Sequence, residues 1–409
     1  MITCAKIKNF MGIENEITIN CLASNKIKRN STPFVSTDEG LNILKNIGII
    51  GSNGSGKTSI LNAFATIQTF VNFPFRKSAN NNQKFIEQIK QLPKEMLEQI
   101  LDDFNNLKLP AANINHSNED TFISIEMYIP EDKHNIGGYY NYSLLYDFNY
   151  QKNGIKEEKL TYRKKYNSKK DITIFCVNNI IESELGTTLL YKNNNLNISK
   201  QYIEYYDSIG NEIINKMDFI FAGDSLDLNY FYSNHKKLFN KLCNLADEKI
   251  IKTNIEKRNN QDIIIFLNKD SNKLYFEQLS VGTQKIIVLG CKLINSIENN
   301  RIVFVDELEM SLHPSLANFL VMIIQKLEKK SYNQLFFTTH SIDLAMQIDN
   351  DQLYYIDYKL NDYKFLCISD AIKKGIITKD KNVQRALAEN LLINNPDINK
   401  INDFINSIN

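Results

Sequence analysis

The residues Gly51-Ser52-Asn53-Gly54-Ser55-Gly56-Lys57-Thr58 carry the spacing G-x-x-x-x-G-K-[ST]. The apolar run Ile47-Gly48-Ile49-Ile50 leads in and helix formers follow Ser59, so a strand, a loop and a helix are expected in that order. Gly51, Gly54 and Gly56 would admit positive φ and let backbone N–H groups approach phosphate oxygens. The helix starting near Lys57 aims its positive dipole end at the same point. Lys57 would reach the β- and γ-phosphates of a nucleoside triphosphate and Thr58 would bind Mg2+, with Ser52, Asn53, Ser55 and Ser59 completing the nucleotide-binding set. A glycine-rich turn that binds nothing is the simpler alternative; both flanks argue against it.

Three further stretches could act with that loop. Arg301-Ile302-Val303-Phe304-Val305-Asp306-Glu307 is an apolar strand ending in two carboxylates. In a parallel sheet its carboxyl end opens toward the phosphate loop, where Asp306 would hold Mg2+ and Glu307 would activate a water as general base. Either carboxylate alone would read as an acidic turn. Gln278-Leu279-Ser280-Val281-Gly282-Thr283-Gln284-Lys285 opens an apolar helix whose start, at Ser280 and Gly282, suits an anion. Leu335-Phe336-Phe337-Thr338-Thr339-His340-Ser341 ends a strand in His340, within reach of a γ-phosphate if that strand joins the same sheet.

The elements that must position these residues follow from periodicity. Ile2, Cys4 and Ile7, then Ile17 and Ile19, alternate as two paired strands, and a strand over 41–50 leads into the phosphate loop. A helix over 59–70 follows, and apolar positions over 84–107, interrupted by Pro93, suggest a helical hairpin or kinked helix. Residues 121–192 read as an antiparallel sheet with Asn153-Gly154 at a hairpin tip, and 200–258 as mainly helical with a loop over 219–224. A hairpin is expected over 262–266 and 273–278, helices over 279–298, 313–330 and 341–347, and strands over 301–305, 334–338 and 352–357. Strands alternating with helices imply a parallel sheet.

Composition removes several classes. Lys and Arg number 48 against 47 acidic residues, so any nucleic-acid contact must be a local patch. The six cysteines lack C-x-x-C spacing, which speaks against zinc or a redox pair and for buried thiols. With no transmembrane-length apolar run and no charged-then-apolar leader, the expectation is a soluble, cytoplasmic protein that contacts no membrane.

The order GSNGSGKT, LSVGTQ, IVFVDE, LEMSLHP and FFTTHS resembles the ATP-binding-cassette type of ATPase head, in the branch of structural-maintenance, recombination-mediator and overcoming-lysogenization-defect proteins. The resemblance covers residues 1–70 and 270–360, with the middle matched in outline. It implies an α/β fold with a mixed or parallel nucleotide-binding sheet, an antiparallel β subdomain and a helical insertion. The expected organisation is an N-terminal core part over 1–70, an inserted sheet and lid over 71–270, a C-terminal core part over 271–370 and a tail over 371–409. It also implies ATP and Mg2+ as cofactors, Ser280 and Gly282 as the signature facing the γ-phosphate of an opposite subunit, and His340 as the switch histidine. His313 stands where the dimer-interface loop often has aspartate. The implied assembly is a head-to-tail homodimer or larger oligomer, closed by ATP and released by hydrolysis. The family's Mg2+-sensing glutamine has no assigned position: Gln68 lies close to the phosphate loop and Gln151 beside a hairpin.

Sustained heptads for DNA-embracing arms are absent, and LSVGTQ and ELEMSLHP differ from transporter wording. The chain is most similar to stand-alone ATPases of bacterial abortive infection, through ELEMSLHPS, QLFFTTHSIDL and Asp351-Gln352-Leu353-Tyr354-Tyr355-Ile356. About forty residues follow position 370, short for a nuclease domain, so the expected role is a sensor or scaffold ATPase in phage defence with a nuclease or toxin effector supplied in trans. The alternative is a repair or recombination ATPase that clamps DNA on binding ATP, using Arg163-Lys164-Lys165, Lys169-Lys170 and Lys236-Lys237 on phosphates and Tyr162 and Tyr166 for stacking.

Overall fold

A computed structural model describes residues 1–23, 34–71, 119–131, 137–146, 155–180, 219–223, 226–258, 261–326, 332–359 and 362–376. The chain divides into two units, one of residues 1–23, 35–43 and 58–219, the other of 24–34, 44–57 and 220–409.

The first unit is built on a six-stranded antiparallel sheet. Its strands are β1 (Ile2–Lys8), β2 (Ile17–Asn20), β6 (Thr121–Ile129), β7 (Gly138–Tyr146), β8 (Ile155–Arg163) and β9 (Ile172–Ile180), in the order β2-β1-β6-β7-β8-β9. This is the antiparallel sheet expected over 121–192, extended by the paired N-terminal strands. Buried Ile123, Ile125, Met127, Tyr140, Tyr142 and Leu144 form much of its packing. Short strands β3 (Phe34–Ser36) and β4 (Asn42–Leu44) pair separately.

The second unit carries a six-stranded sheet ordered β10-β14-β15-β5-β16-β17. Its members are β5 (Asn46–Gly51), β10 (Ile220–Phe221), β14 (Ile302–Val305), β15 (Gln334–Thr339), β16 (Leu353–Lys359) and β17 (Asp362–Cys367). All neighbours run parallel except β16 and β17. Strands covered on both faces need continuous apolar runs. Accordingly β5, β14 and β15 are buried at every position. Register pairs Phe221 with Phe304 and Phe304 with Phe336, and their rings stack at 5.0 Å each. Burying one such ring contributes roughly 1.5–3 kcal/mol. On β5 a side chain at Gly48 would meet Phe337 and Ile348 at 2.9 and 2.7 Å, so glycine there makes room for Phe337.

Helices α1 (Lys57–Val71), α2 (Leu228–Ala246), α3 (Val281–Glu298), α4 (Pro314–Lys326), α5 (Ile342–Ala345) and α6 (Ile368–Lys373) complete the described elements, with a 3-10 turn over Phe276–Gln278 and a three-stranded antiparallel sheet of β11 (Ile250–Arg258), β12 (Gln261–Asn268) and β13 (Lys273–Tyr275). Asp227 caps α2 by accepting from Tyr230 N at 3.0 Å. Buried Phe231, Phe239 and Leu242 of α2 belong to the same core as Ile286, Leu289 and Leu293 of α3.

Three expectations need correction. The strand expected over 41–50 is two strands, β4 and β5, with buried Lys45 between them. The loop expected over 219–224 contains β10, a two-residue strand too short for any periodic signal. Residues 250–258, expected to be helical, form β11, which lies at a sheet edge with Ile250 and Thr253 buried while Ile251 and Ile255 stay exposed. An edge strand with one wet face carries the charges that obscured its alternation. The helical reading over 84–107 and the hairpin tip at Asn153-Gly154 fall outside the described residues.

Candidate functional site

The phosphate-loop pattern lies where β5 passes into α1. Gly54 and Gly56 adopt φ of +74° and +99°, as a loop that turns its amides inward requires. Gly51 does not share that conformation; its role is close approach. A Cβ there would lie 2.2 Å from the carbonyl oxygen of Ile356 on β16. Ser52 Oγ donates to Asp357 Oδ1 at 3.2 Å, so β16 pins the start of the loop. Asn53 and Gly54 are exposed, while Ser55 is buried and its Oγ has no hydrogen-bond partner among the described residues.

Lys57 is buried, and its Nζ donates to the carbonyl oxygens of Gly51 at 3.1 Å and Ser52 at 2.8 Å. Loss of hydration pulls its pKa below the ordinary lysine value, and the carboxylates of Asp306, Glu307 and Glu309 partly oppose that shift. Thr58 follows in the chain and is exposed. Ser59 Oγ donates to Met11 O at 2.6 Å within the first unit. Gln68 is likewise engaged in that unit, donating to Phe219 O at 2.9 Å.

Parallel register brings the carboxyl ends of β14, β15 and β5 to one edge: Val305 pairs with Phe337 and Thr339 with Ile50. Asp306 and Glu307 therefore follow directly beside Thr338. Thr338 Oγ1 donates to Asp306 Oδ1 at 2.5 Å and accepts from Glu307 N at 2.8 Å, so one hydroxyl orients the turn that carries both carboxylates. Glu307 has φ of +45°, a left-handed backbone for a residue with a long side chain. That costs roughly 1–2 kcal/mol and persists only where neighbours over-determine it. Glu307 Oε1 stands 3.6 Å from His340 Nε2, an ion pair whenever the imidazole is protonated.

Glu309, to which no role was assigned from sequence, accepts from His340 N at 2.5 Å and Ser341 N at 3.2 Å through Oε1. It thus holds the end of β15 that presents His340. Its other oxygen is buried without a hydrogen-bond partner among the described residues.

Ser280 caps α3, accepting from Thr283 N at 3.1 Å. Gly282 has an added reason to be glycine, since a Cβ would lie 2.7 Å from Ser311 O. Val281 and Met310 are 67% and 59% exposed, leaving apolar side chains beside this helix start and the 309–313 turn. His313 is exposed, its Nδ1 lies 2.8 Å from Ser315 Oγ, and its carbonyl oxygen accepts from Leu316 N and Ala317 N, so it starts α4.

Side chains in the second unit thus suit a polyphosphate and a divalent cation: a desolvated lysine, two left-handed glycines, a buried serine hydroxyl without a partner and paired carboxylates. Among the described residues no cluster of three His, Cys, Asp or Glu could hold a metal. Of the basic cluster at 163–170, Arg163 pairs with Glu126 and stacks over Tyr166 at 5.1 Å, while Tyr162 donates to Gly137 O at 3.1 Å. Tyr162 and Arg163 are therefore committed to packing.

Cys4, Cys21, Cys243, Cys291 and Cys367 form no disulfide. Burial pushes the Cys4 thiol up to about 11 and the Cys243 thiol up to about 12, so both stay protonated and inert. No described helix is long and apolar enough to cross a membrane.

Among solved structures the chain is similar to an SMC head bound to the C-winged helix domain of ScpA, with TM-score 0.45 and 11% identity over 90% of this chain and 99% of that one. It is similar to the SMC head domain from Thermotoga maritima, with TM-score 0.40 and 10% identity over 90% and 98%. A third is an Smc head domain with an extended coiled coil bound to the C-terminal domain of ScpA derived from Pyrococcus furiosus, with TM-score 0.43 and 11% identity over 91% and 98%. No curated protein matches the sequence. Residues 129–346, more than half of the chain, match the family described as "AAA domain, putative AbiEii toxin, Type IV TA system". The matched segment contains Ser280, Gly282, Asp306, Glu307 and His340, and the chain belongs to this AAA-domain family.

Proposed function

We propose that the protein is an ATP-hydrolysing head that dimerises around nucleotide and serves as sensor or scaffold in phage defence, with a nuclease or toxin effector supplied in trans. The observation that carries the catalytic part is the edge of the second sheet, where Glu307 lies 3.6 Å from His340 and the Thr338 hydroxyl holds both Asp306 and the backbone of Glu307. Bound ATP with Mg2+ supplies the transferable γ-phosphate and the charge neutralisation. Lys57 would counter phosphate charge, and Asp306 would hold the cation, with Thr58 as second ligand in the sequence pattern. Glu307 accepts the proton of the attacking water, and His340 donates toward the γ-phosphate. Ser280 and Gly282 contact the nucleotide of a second copy, and Val281 and Met310 add apolar area beside them. The defence role is supported by the family description, which names a toxin, and by the likeness of ELEMSLHPS and QLFFTTHSIDL to abortive-infection ATPases.

One observation favours the DNA-clamp reading as second choice. Lys164, Lys165, Lys169 and Lys170 are all exposed on the turn between β8 and β9, where they could meet phosphates.

Glu307→Gln tests both. It should bind ATP normally, lose about 10²–10⁴-fold in hydrolysis and accumulate as an ATP-bound dimer or larger assembly. Wild-type turnover in this variant would remove Glu307 from the mechanism. Isolated from native cells with ATP and Mg2+, it should retain a stoichiometric nuclease or toxin. Duplex DNA with no protein partner would instead establish the clamp.

A further inference from the structure

Lys285 lies on α3, five residues beyond Ser280 in the sequence, and its ammonium reaches to the turn after β14. It donates to Glu307 O at 3.0 Å and to Met310 O at 2.8 Å. Met310 N also donates to Glu307 O, at 2.9 Å, closing the turn on itself. Glu307 N is taken by Thr338 Oγ1. Both backbone polar groups of the left-handed Glu307 are therefore held from outside: the N–H by β15, the carbonyl by α3.

We infer that Lys285 is a positioning residue, tying the backbone of Glu307 to the helix that begins with Ser280 and Gly282, so that the seating of α3 sets the aim of the Glu307 carboxylate. This rests on the reading of Glu307 as general base. Two features favour a positioning role over simple packing. A lysine donating to two carbonyls from one ammonium constrains their separation, and charge-assisted bonds of this kind are stronger than neutral ones. Gly282 also lets α3 approach the same loop closely, at Ser311 O, so the helix touches both ends of the stretch from Glu307 to Ser311. An event at the start of α3, such as contact with nucleotide on a second copy, then has a route to the base in the same chain.

The test is a double-mutant cycle read by single-turnover ATP hydrolysis and ATP affinity in the full chain. Lys285→Met should slow hydrolysis about tenfold or more while ATP affinity stays within about twofold, the signature of an interaction that matters after binding. Lys285→Arg, which keeps charged donors, should recover most of the rate. In the Glu307→Gln background, Lys285→Met should change the residual rate by less than about twofold, because the group it aims is gone. Equal fold-losses on both backgrounds, or weakened ATP binding with an unchanged rate, would overturn the inference. If the methionine variant does not fold, Lys285→Gln, which retains an amide donor, carries the same comparison. Wild-type protein hydrolysing no faster than Glu307→Gln would overturn the reading of Glu307 itself, whereas a Lys285→Met variant as fast as wild type overturns only the role of Lys285.

Discussion

The two six-stranded sheets treat their polar residues in opposite ways. In the antiparallel sheet of the first unit, buried polar groups sit within the strands and satisfy one another. Tyr142 donates to fully buried Glu158 at 2.5 Å between neighbouring strands, and Glu126 accepts from Thr3 at 2.7 Å and pairs with Arg163. In the parallel sheet of the second unit β14 is apolar throughout, buried Asn46 and Gln334 open β5 and β15, and Thr338, Thr339 and the polar side chains that follow gather at the carboxyl ends of the strands. Direction explains the difference. Antiparallel neighbours present no common end, so a polar residue finds its partner across the ladder. Parallel neighbours finish together, so Asp306, Glu307, Thr338, His340 and the phosphate loop converge on one edge. Polar groups meet across the ladder in one sheet and at the strand ends in the other.

Substitutions can break or sharpen that contrast. The largest effect is expected from Lys57→Ala, which removes the desolvated ammonium at the open edge and should weaken ATP binding about hundredfold or more, measured by titration. Unchanged affinity would remove the phosphate loop from the site. Tyr142→Phe in the antiparallel sheet should leave ATP affinity alone but lower unfolding free energy by about 1–3 kcal/mol, read from denaturant melts, because a buried carboxylate loses a donor. A clear change in ATP binding there would mean that the two sheets do not divide their tasks.

The smallest effect concerns Lys45, whose pKa burial lowers from 10.5 to about 8. Between those values the unfolded chain binds more protons than the folded one, so this residue's contribution makes stability rise with pH from about 8 to 10.5. Lys57 and Lys285 are shifted in the same direction and add to the slope. Lys45→Met should flatten part of that rise in denaturant midpoints compared across the window.

Much of this was legible in residue order because parallel strands bury both faces and leave unbroken apolar runs. Ile302-Val303-Phe304-Val305 and Leu335-Phe336-Phe337 announce their strands, and the polar residues directly after them announce the edge. The antiparallel sheet was equally readable from alternation at Ile123, Ile125, Met127 and Ile129. What escaped had a physical reason. β10 is too short for a period, and β11 is an edge strand with a charged outer face. Thr338, Glu309 and Lys285 hold backbone groups and Asp357 holds the Ser52 hydroxyl, all through turns and register, and residue type alone does not reveal such partners. Gly51 was expected to need a left-handed backbone; proximity to Ile356 O is its constraint, and only strand pairing exposes that.

The 2.7 Å approach of a Cβ at Gly282 to Ser311 O affects how the start of α3 can be probed genetically. Any side chain placed at 282 must push the loop that follows Glu307 in the same chain. Under the proposed dimer, a defect in such a variant would therefore report damage in cis as well as a lost contact in trans. Val281, two-thirds exposed and adjacent in the chain, offers a cleaner handle. A bulky or charged replacement there leaves the close approach at 282 intact, and, if the proposed dimer forms, mixing it with Lys57→Ala chains would assign each defect to the copy that bears it.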